Sequence, residues 1–70
     1  MQDIQKVVGE RIRLIRQRKG ITQDQLADMA GLNRVHLYRL ETGRQSMTIR
    51  TLKMIADSLG VRVRDLIGDL

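Results

Sequence analysis

The sequence contains no cysteine, no long apolar segment and no internal repeat. The absence of cysteine excludes a disulfide framework and a zinc site built on thiolates, so packing alone must stabilise the fold. The apolar runs are far too short to span a membrane. The first residues lack the pattern of a secretory signal, and together with the missing cysteines this predicts a cytoplasmic protein.

The length of the chain limits the kinds of function that it can perform. Residues 1–70 are expected to form one domain, with a core from about residue 7 to residue 67. A chain of this size buries only roughly 60% of its unfolded surface, which leaves no room for the deep cleft of an enzyme. The sequence offers no pairing of a nucleophile with a base and no metal-ligating cluster. We therefore expect a binding module with no catalytic residue, no metal and no cofactor.

Basic residues are concentrated in the middle of the chain. The sequence has 13 lysines and arginines against 8 acids, which gives a net charge of +5 and an isoelectric point near 10.8. Residues 29–56 hold five of the basic residues and only one acid, Glu41. A charge that served only solubility would not need to gather around one segment, so the distribution favours an anionic partner such as nucleic acid.

Apolar residues recur at helical spacing along the chain, and glycines mark the breaks. This pattern predicts an all-α fold, a compact domain of five helices without strands. The first helix is predicted over residues 4–18, and the second runs from Thr22, where Thr22 and Gln25 match the capping-box pattern, to about residue 30. The main buried residues expected on the first helix are Ile4, Val8, Ile12 and Ile15.

The second half of the sequence predicts three shorter helices. The third is capped by Asn33 and ends at Gly43, the fourth starts from Thr48, and the fifth covers residues 63–67. The residues expected to be buried on the fourth helix are Ile49, Leu52, Ile55, Ala56 and Leu59.

The second and third predicted helices, joined by a turn at Gly31, are typical of a helix-turn-helix, in which the second helix reads DNA. With Arg34 set at 0°, one face of the third helix carries Arg34, Tyr38 at about 40°, Val35 at about 100° and Arg39 at about 140°. Leu37 and Leu40 fall on the opposite side. Arginine bonds bidentately to guanine, and a small apolar side chain contacts the thymine methyl group, so this face has the chemistry of major-groove readout. An ordinary solvated helix surface explains the same residues equally well.

An ordered set of apolar, polar and glycine positions extends over nearly the whole chain. It consists of Ile12, Ile21, Thr22, Gln23, Leu26, Ala27, Gly31, Leu32, Leu37, Leu40, Glu41, Gly43, Thr51, Leu52, Ile55, Ala56, Leu59, Gly60 and Val61. With these spacings the chain resembles the phage-repressor and Cro-type helix-turn-helix domains, often called XRE-like. The resemblance implies a lambda-repressor-like fold and a prokaryotic, phage or plasmid regulator of transcription at the nucleoid.

The resemblance also implies roles for individual residues. The residues implied to read bases are Asn33, Arg34, Val35 and Arg39. The resemblance implies that Gln23 binds the DNA backbone. Tyr38 stands where the family often has a small hydroxyl residue, and a bond from its phenol to a phosphate is a hypothesis. Arg44, just past the third helix, and Arg50, in the first turn of the fourth, are predicted to bind the backbone from their positions. A helix N-terminus independently favours an anion near Gln23. For Gln23, Tyr38, Arg44 and Arg50, an ordinary surface position is the competing interpretation.

Glu41 is the lone acid of the basic segment, and the resemblance implies that it pairs with Arg16 in a structural ion pair between the first and third helices. The other arginines of the first helix are expected to be solvated or peripheral: Arg11, Arg13 and Arg18.

The end of the chain carries more apolar surface than one short helix easily hides, which suggests a partner. The residues expected at a dimer interface are Val63, Leu66, Ile67 and Leu70. Core packing explains Leu66 and Ile67 equally well, so the dimer rests mainly on the resemblance.

The expected function is sequence-specific binding of double-stranded DNA by a transcriptional regulator. We expect a repressor that acts as a homodimer on an inverted repeat, with no membrane and no small-molecule ligand. One alternative is a controller protein of a restriction-modification system. The segment Thr48, Ile49 and Arg50 resembles the start of the fourth helix in such proteins. A second is an antitoxin or inhibitor that uses the same helices to sequester another protein.

Overall fold

The computed structural model describes residues 3–70, and within that range it contains five α-helices and no strand. The helices are α1 (Ile4–Arg18), α2 (Gln23–Ala30), α3 (Arg34–Glu41), α4 (Ile49–Leu59) and α5 (Val63–Ile67). The predicted all-α, five-helix fold is confirmed, and the bounds of the first and last helices match those expected. Residues 1 and 2, which the predicted domain includes, lie outside the described range.

Helices α1 to α4 begin where polar side chains satisfy the free backbone amides of the first turn. The Thr22 hydroxyl accepts from the Gln25 amide at 3.1 Å, while the Gln25 side chain accepts from the Thr22 amide at 2.8 Å. Asn33 and Thr48 cap α3 and α4 in the same way, through their side-chain oxygens. Because each cap is local, the sequence alone determines where these helices start.

The turn between α2 and α3 depends on a left-handed residue. Gly31 has a φ of 68°, a conformation that glycine adopts without steric cost. The next amide, of Leu32, donates to the carbonyl of Ala27 at 2.8 Å and closes the end of α2. Leu32 then packs against the core, so α3 departs from α2 in a fixed direction.

The core lies at the centre of the bundle, and every helix contributes to it. Its largest fully buried side chains are Ile12, Leu26, Leu37, Leu40, Ile55, Leu59 and Leu66. In the arrangement that results, α1 packs on α3, and α2 packs on both α3 and α4. The helix-turn-helix unit is thereby held between α1 on one side and α4 on the other.

Two apolar residues that were expected to be buried are exposed instead. Ile4 is 59% exposed and Ile49 is 85% exposed, so both predictions are wrong. Each is the first residue of its helix. Because side chains on a helix lean toward its N-terminus, the first one extends past the end of the helix and beyond the packed interior.

A glycine allows the backbones of α1 and α3 to touch. A Cβ at Gly9 would overlap the carbonyl oxygen of Leu40 and would lie 2.7 Å from that of Glu41. One turn earlier, Lys6 lies against Gly43 in the same manner, since a Cβ at Gly43 would be 2.8 Å from the Lys6 Cα. These contacts place the end of α3 directly on α1.

Replacement of Gly9 by alanine tests this backbone contact. In an open helix the change stabilises by about 1 kcal/mol, because alanine is the better helix former. Here we expect the opposite, a loss of about 1 to 3 kcal/mol, since the added methyl group forces α1 away from α3. Urea unfolding measures the difference, with Gln17→Ala on the exposed side of α1 as a control that changes stability little. A more stable Gly9→Ala protein would contradict the close contact.

Candidate nucleic-acid interface

The outer face of α3, formed by Arg34, Val35, Tyr38 and Arg39, is exposed to solvent. Val35 is 57% exposed and Tyr38 is 45% exposed, although both side chains carry apolar surface. On the opposite side of the helix, Leu37 and Leu40 are completely buried. The helix is therefore anchored by its apolar side, and its outer face is left for contact with another molecule.

Asn33 has a structural task at the start of α3. Its side-chain oxygen accepts from the amides of Val35 at 2.7 Å and His36 at 3.4 Å. Because that oxygen is engaged, any contact of Asn33 with a base or phosphate would use its amide nitrogen as a donor.

Gln23, the first residue of α2, lies beside the outer face of α3. It lines a shallow groove together with Arg34, Val35 and Tyr38. Its side-chain nitrogen donates to Glu41 Oε1 at 3.0 Å, and the side chain is half-buried. The structure thus brings four of the predicted DNA-binding residues together around one groove.

Arg16 and Glu41 form a bidentate ion pair in the interior. Arg16 Nε donates to Glu41 Oε2 at 2.7 Å, and Arg16 Nη2 donates to Oε1 at 3.0 Å. The two side chains are only 9% and 1% exposed. The third nitrogen of the guanidinium donates to the carbonyl of Ile21 at 2.9 Å. With the bond from Gln23, every nitrogen of the guanidinium and both oxygens of the carboxylate have a hydrogen-bond partner, as buried charges require.

The remaining predicted contact residues lie outside the groove. Arg39 is exposed near the end of α3, Arg44 follows Gly43 in the connecting segment, and Arg50 is exposed in the first turn of α4. The segment that carries Arg44 is attached to α1, because the Gln5 side-chain amide donates to the Ser46 hydroxyl at 2.7 Å.

Sequence reasoning missed one residue beside this groove. Asp24 Oδ1 lies 3.4 Å from Arg34 Nε, in an ion pair whose side chains are 69% and 67% exposed. The two residues occupy the first turns of α2 and α3, and the turn geometry brings these turns together. A carboxylate in the first turn of α2 was the available signal, because the helix-turn-helix pattern places that turn near the start of the next helix.

The expectation for the arginines of α1 is wrong for Arg11. This side chain is half-buried and donates to the carbonyls of Leu66, at 3.3 Å, and Gly68, at the end of α5. Arg13 and Arg18 do lie toward solvent, and Arg13 donates to Glu10, a hydrogen bond that lowers the pKa of that carboxyl group. A cation at a helix C-terminus engages the last free carbonyls, which explains why Arg11 turns inward.

The predicted dimer residues separate into two groups. Leu66 is completely buried and Val63 is half-buried against the core, so the expectation that Leu66 contacts a partner is wrong. Ile67 and Leu70 are 39% and 48% exposed. The exposed pair lines an apolar groove together with Ile4, Val8, Met47 and Leu52.

Among residues 3–70, no group of three histidines, cysteines or carboxylates is placed to hold a metal ion. No helix in the described part of the chain has the length and apolar character needed to cross a membrane.

Comparison with known sequences gives a match over most of the chain. The sequence model of the helix-turn-helix family matches residues 12–66. The immunity repressor protein of Bacillus phage phi105 is 39% identical over 62 residues, which are 89% of this chain and 43% of that repressor. The chain therefore spans less than half the length of this relative.

Comparison with solved structures gives the same kind of protein. The restriction-modification controller protein C.AhdI from Aeromonas hydrophila superimposes with a TM-score of 0.86 at 31% identity, over 91% of this chain and 96% of that chain. SinR, a master regulator for biofilm formation solved in complex with DNA, superimposes with a TM-score of 0.80 at 32% identity, over 84% and 95% of the two chains.

The buried ion pair gives a prediction about stability. Arg16→Met leaves the Glu41 carboxylate buried without its cation, and we expect a loss of about 3 to 5 kcal/mol. The double variant Arg16→Met/Glu41→Met removes both charges and should recover most of that loss. Arg13→Met, which breaks an exposed pair on the same helix, should cost less than about 1 kcal/mol. Urea unfolding compares the three, and equal costs for Arg16→Met and Arg13→Met would contradict the role of the pair.

Proposed function

The chain belongs to the helix-turn-helix family, and on this premise we propose that it is a sequence-specific DNA-binding repressor of transcription that acts as a homodimer on an inverted repeat. The observation that carries the proposal is the outer face of α3. Two arginines, a valine and a tyrosine are exposed there on a helix whose opposite side is locked into the core. Such a helix fits the major groove of B-DNA, which is about 12 Å wide.

Base recognition is assigned to the outer face and to the cap of α3. Arg34 and Arg39 supply paired donors for guanine O6 and N7, while Val35 supplies an apolar contact for a thymine methyl group. Asn33 supplies its remaining amide donors. SinR, which superimposes on 84% of this chain, was solved bound to DNA, and this supports DNA as the partner.

Backbone binding is assigned to four residues around the edge of that face: Gln23, Tyr38, Arg44 and Arg50. Side chains of these types donate to phosphate oxygens without regard to sequence. Gln23 lies at a helix N-terminus, where the helix dipole adds attraction for an anion, and its amide has a second N–H beyond the one given to Glu41. These contacts contribute affinity and salt dependence rather than base preference.

The homodimer is assigned to the apolar groove beside α5. Ile67 and Leu70 expose apolar surface there, together with Ile4 from the start of α1. A twofold axis through this region would present two copies of α3 to successive major grooves, roughly 34 Å apart. Repression then follows from occupancy of a promoter, as the similarity to a phage immunity repressor supports.

A restriction-modification controller is the second candidate function. The observation that favours it is the match to C.AhdI, which extends over 96% of that chain. The two functions share the same interface with DNA and differ in the response of the promoter. Transcription measured over a range of protein concentrations separates them, since a simple repressor only lowers output, whereas a controller raises it before lowering it.

Selection from a randomised duplex library at near-physiological salt tests the proposal. Enrichment of an inverted repeat, with half-sites about one helical turn apart, is the expected result. Retention of DNA without enrichment, lost steeply as salt rises, would indicate only a basic surface. A protein partner, as for an antitoxin, would then be the better explanation of the exposed residues.

Two arginine substitutions distinguish base reading from backbone binding. Arg34→Ala should cost about 1 to 3 kcal/mol on the selected operator and relax the preference at one base pair. Arg44→Ala should weaken binding to operator and random DNA alike. It should also reduce the slope of the logarithm of the binding constant against the logarithm of salt concentration, by an amount that corresponds to about one phosphate contact. Competition binding with both DNAs measures the two effects. Equal losses on operator and random DNA for both variants would contradict the division of roles.

A charge placed in the apolar groove should weaken the dimer. Leu70→Lys puts an ammonium group into the proposed interface, and we expect the dimer dissociation constant to rise about tenfold or more, because a buried unpaired charge is costly. Met29→Lys is the matched control, since Met29 is 53% exposed on α2 and does not line that groove. Sedimentation equilibrium measures both variants. An unchanged constant for Leu70→Lys would place the dimer elsewhere or exclude it.

A further inference from the structure

Asp24 introduces a negative charge beside the residue that we assign to base reading. Its Oδ1 lies 3.4 Å from Arg34 Nε, and both side chains are about two-thirds exposed. An exposed pair of this kind contributes little to stability. A carboxylate at a surface that binds DNA also repels the phosphates of every sequence. The helix dipole favours an acid in the first turn of α2 whether or not that acid contacts Arg34. Neither this effect nor affinity for DNA therefore accounts for the contact with Arg34.

The geometry of the guanidinium group suggests what the acid does. Arginine has five N–H donors in a rigid planar fork. A carboxylate at Nε occupies one edge of that fork and leaves the terminal pair, Nη1 and Nη2, free for another acceptor. That terminal pair matches the O6 and N7 atoms of guanine.

We propose that Asp24 is a specificity-determining positioning residue, whose carboxylate holds the Arg34 guanidinium so that its terminal nitrogens face a base rather than a phosphate. This inference rests on the proposed function, in which Arg34 reads a base. Without Asp24, the flexible arginine side chain would reach the phosphates, which also bind guanidinium bidentately. Asp24 thus lowers affinity for all DNA and raises the difference between right and wrong sequences.

The support for Asp24 is rigid, as a positioning role requires. Asp24 follows Gln23, whose side-chain nitrogen donates a hydrogen bond to the buried carboxylate of Glu41. It also lies within the capping box of Thr22 and Gln25, whose two hydrogen bonds fix the first turn of α2. Asp24 therefore lies on a turn that is held by its own hydrogen bonds and by a hydrogen bond to the last residue of α3.

Two alanine substitutions on α2 separate this role from a general effect of charge. Asp24→Ala removes the partner of Arg34. Asp28→Ala removes the same charge one turn further along, where the exposed Asp28 lines a different depression with Ile21 and Met29. Both proteins are tested against the selected operator, against the operator altered at the base pair that Arg34→Ala identifies, and against random duplex DNA, each at several salt concentrations.

For Asp24→Ala we expect affinity for DNA and preference for the correct base pair to change in opposite directions. Binding to random DNA should become tighter, and its dependence on salt should steepen by about one phosphate contact, because Arg34 is released to the backbone. The preference for the correct base pair should fall about twofold to fivefold, the effect expected from loss of an exposed ion pair. Asp28→Ala should leave both the preference and the salt dependence unchanged.

Two results would overturn the inference while the proposed function stands. In the first, Arg34→Ala relaxes a base pair but Asp24→Ala keeps the wild-type preference there. In the second, Asp24→Ala binds the operator more tightly with an undiminished preference, which would mean that Asp24 only competes with DNA for Arg34. If Arg34→Ala changes no base preference at all, both the base-reading role of Arg34 and this inference are wrong.

Discussion

One buried carboxylate determines where the third helix lies. Glu41, near the end of α3, receives two hydrogen bonds from Arg16 of α1 and one from Gln23 of α2. Removing these charges from water costs several kcal/mol per ion, and only a fully bonded arrangement offsets that cost. Apolar packing tolerates small slides between helices, whereas a bidentate ion pair does not. The orientation of the outer face thus depends on a polar contact in the interior.

The backbone contact at Gly9 acts together with that ion pair. Gly9 and Arg16 are seven residues apart, about two turns of α1, so both lie on the side that faces α3. One contact is steric, since α3 cannot come closer, and the other is attractive and directional. Together they fix both the spacing and the rotation of α3 against α1. The groove formed by Gln23, Arg34, Val35 and Tyr38 takes its shape from these two contacts and from the bond that Gln23 donates to Glu41.

The sequence predicted what depends on neighbours along the chain. Helix starts at Thr22, Asn33 and Thr48 are local, because a cap and its amide lie within three residues. The two faces of α3 followed from helical periodicity alone. Contacts between distant segments carry no such local signal. The pair of Arg16 and Glu41 is implied only by the resemblance, and nothing in the pattern predicts the bond from Gln23 to Glu41 or the inward turn of Arg11. The prediction that Ile49 is buried is wrong for a related reason, since periodicity does not show where a helix extends beyond the core.

The recognition helix is too short to exist by itself. Isolated helices of fewer than about 12 to 15 residues are marginal in water, whereas α3 has eight residues. Its order depends on α1, which ends at Arg18, well before α3 begins at Arg34, and which contacts α3 through Gly9 and Arg16. A nascent chain therefore acquires the exposed face of α3 only when α1 packs against it. We expect partly folded forms to have no preference for any DNA sequence, so that competence to regulate arises in the same cooperative step as the fold itself.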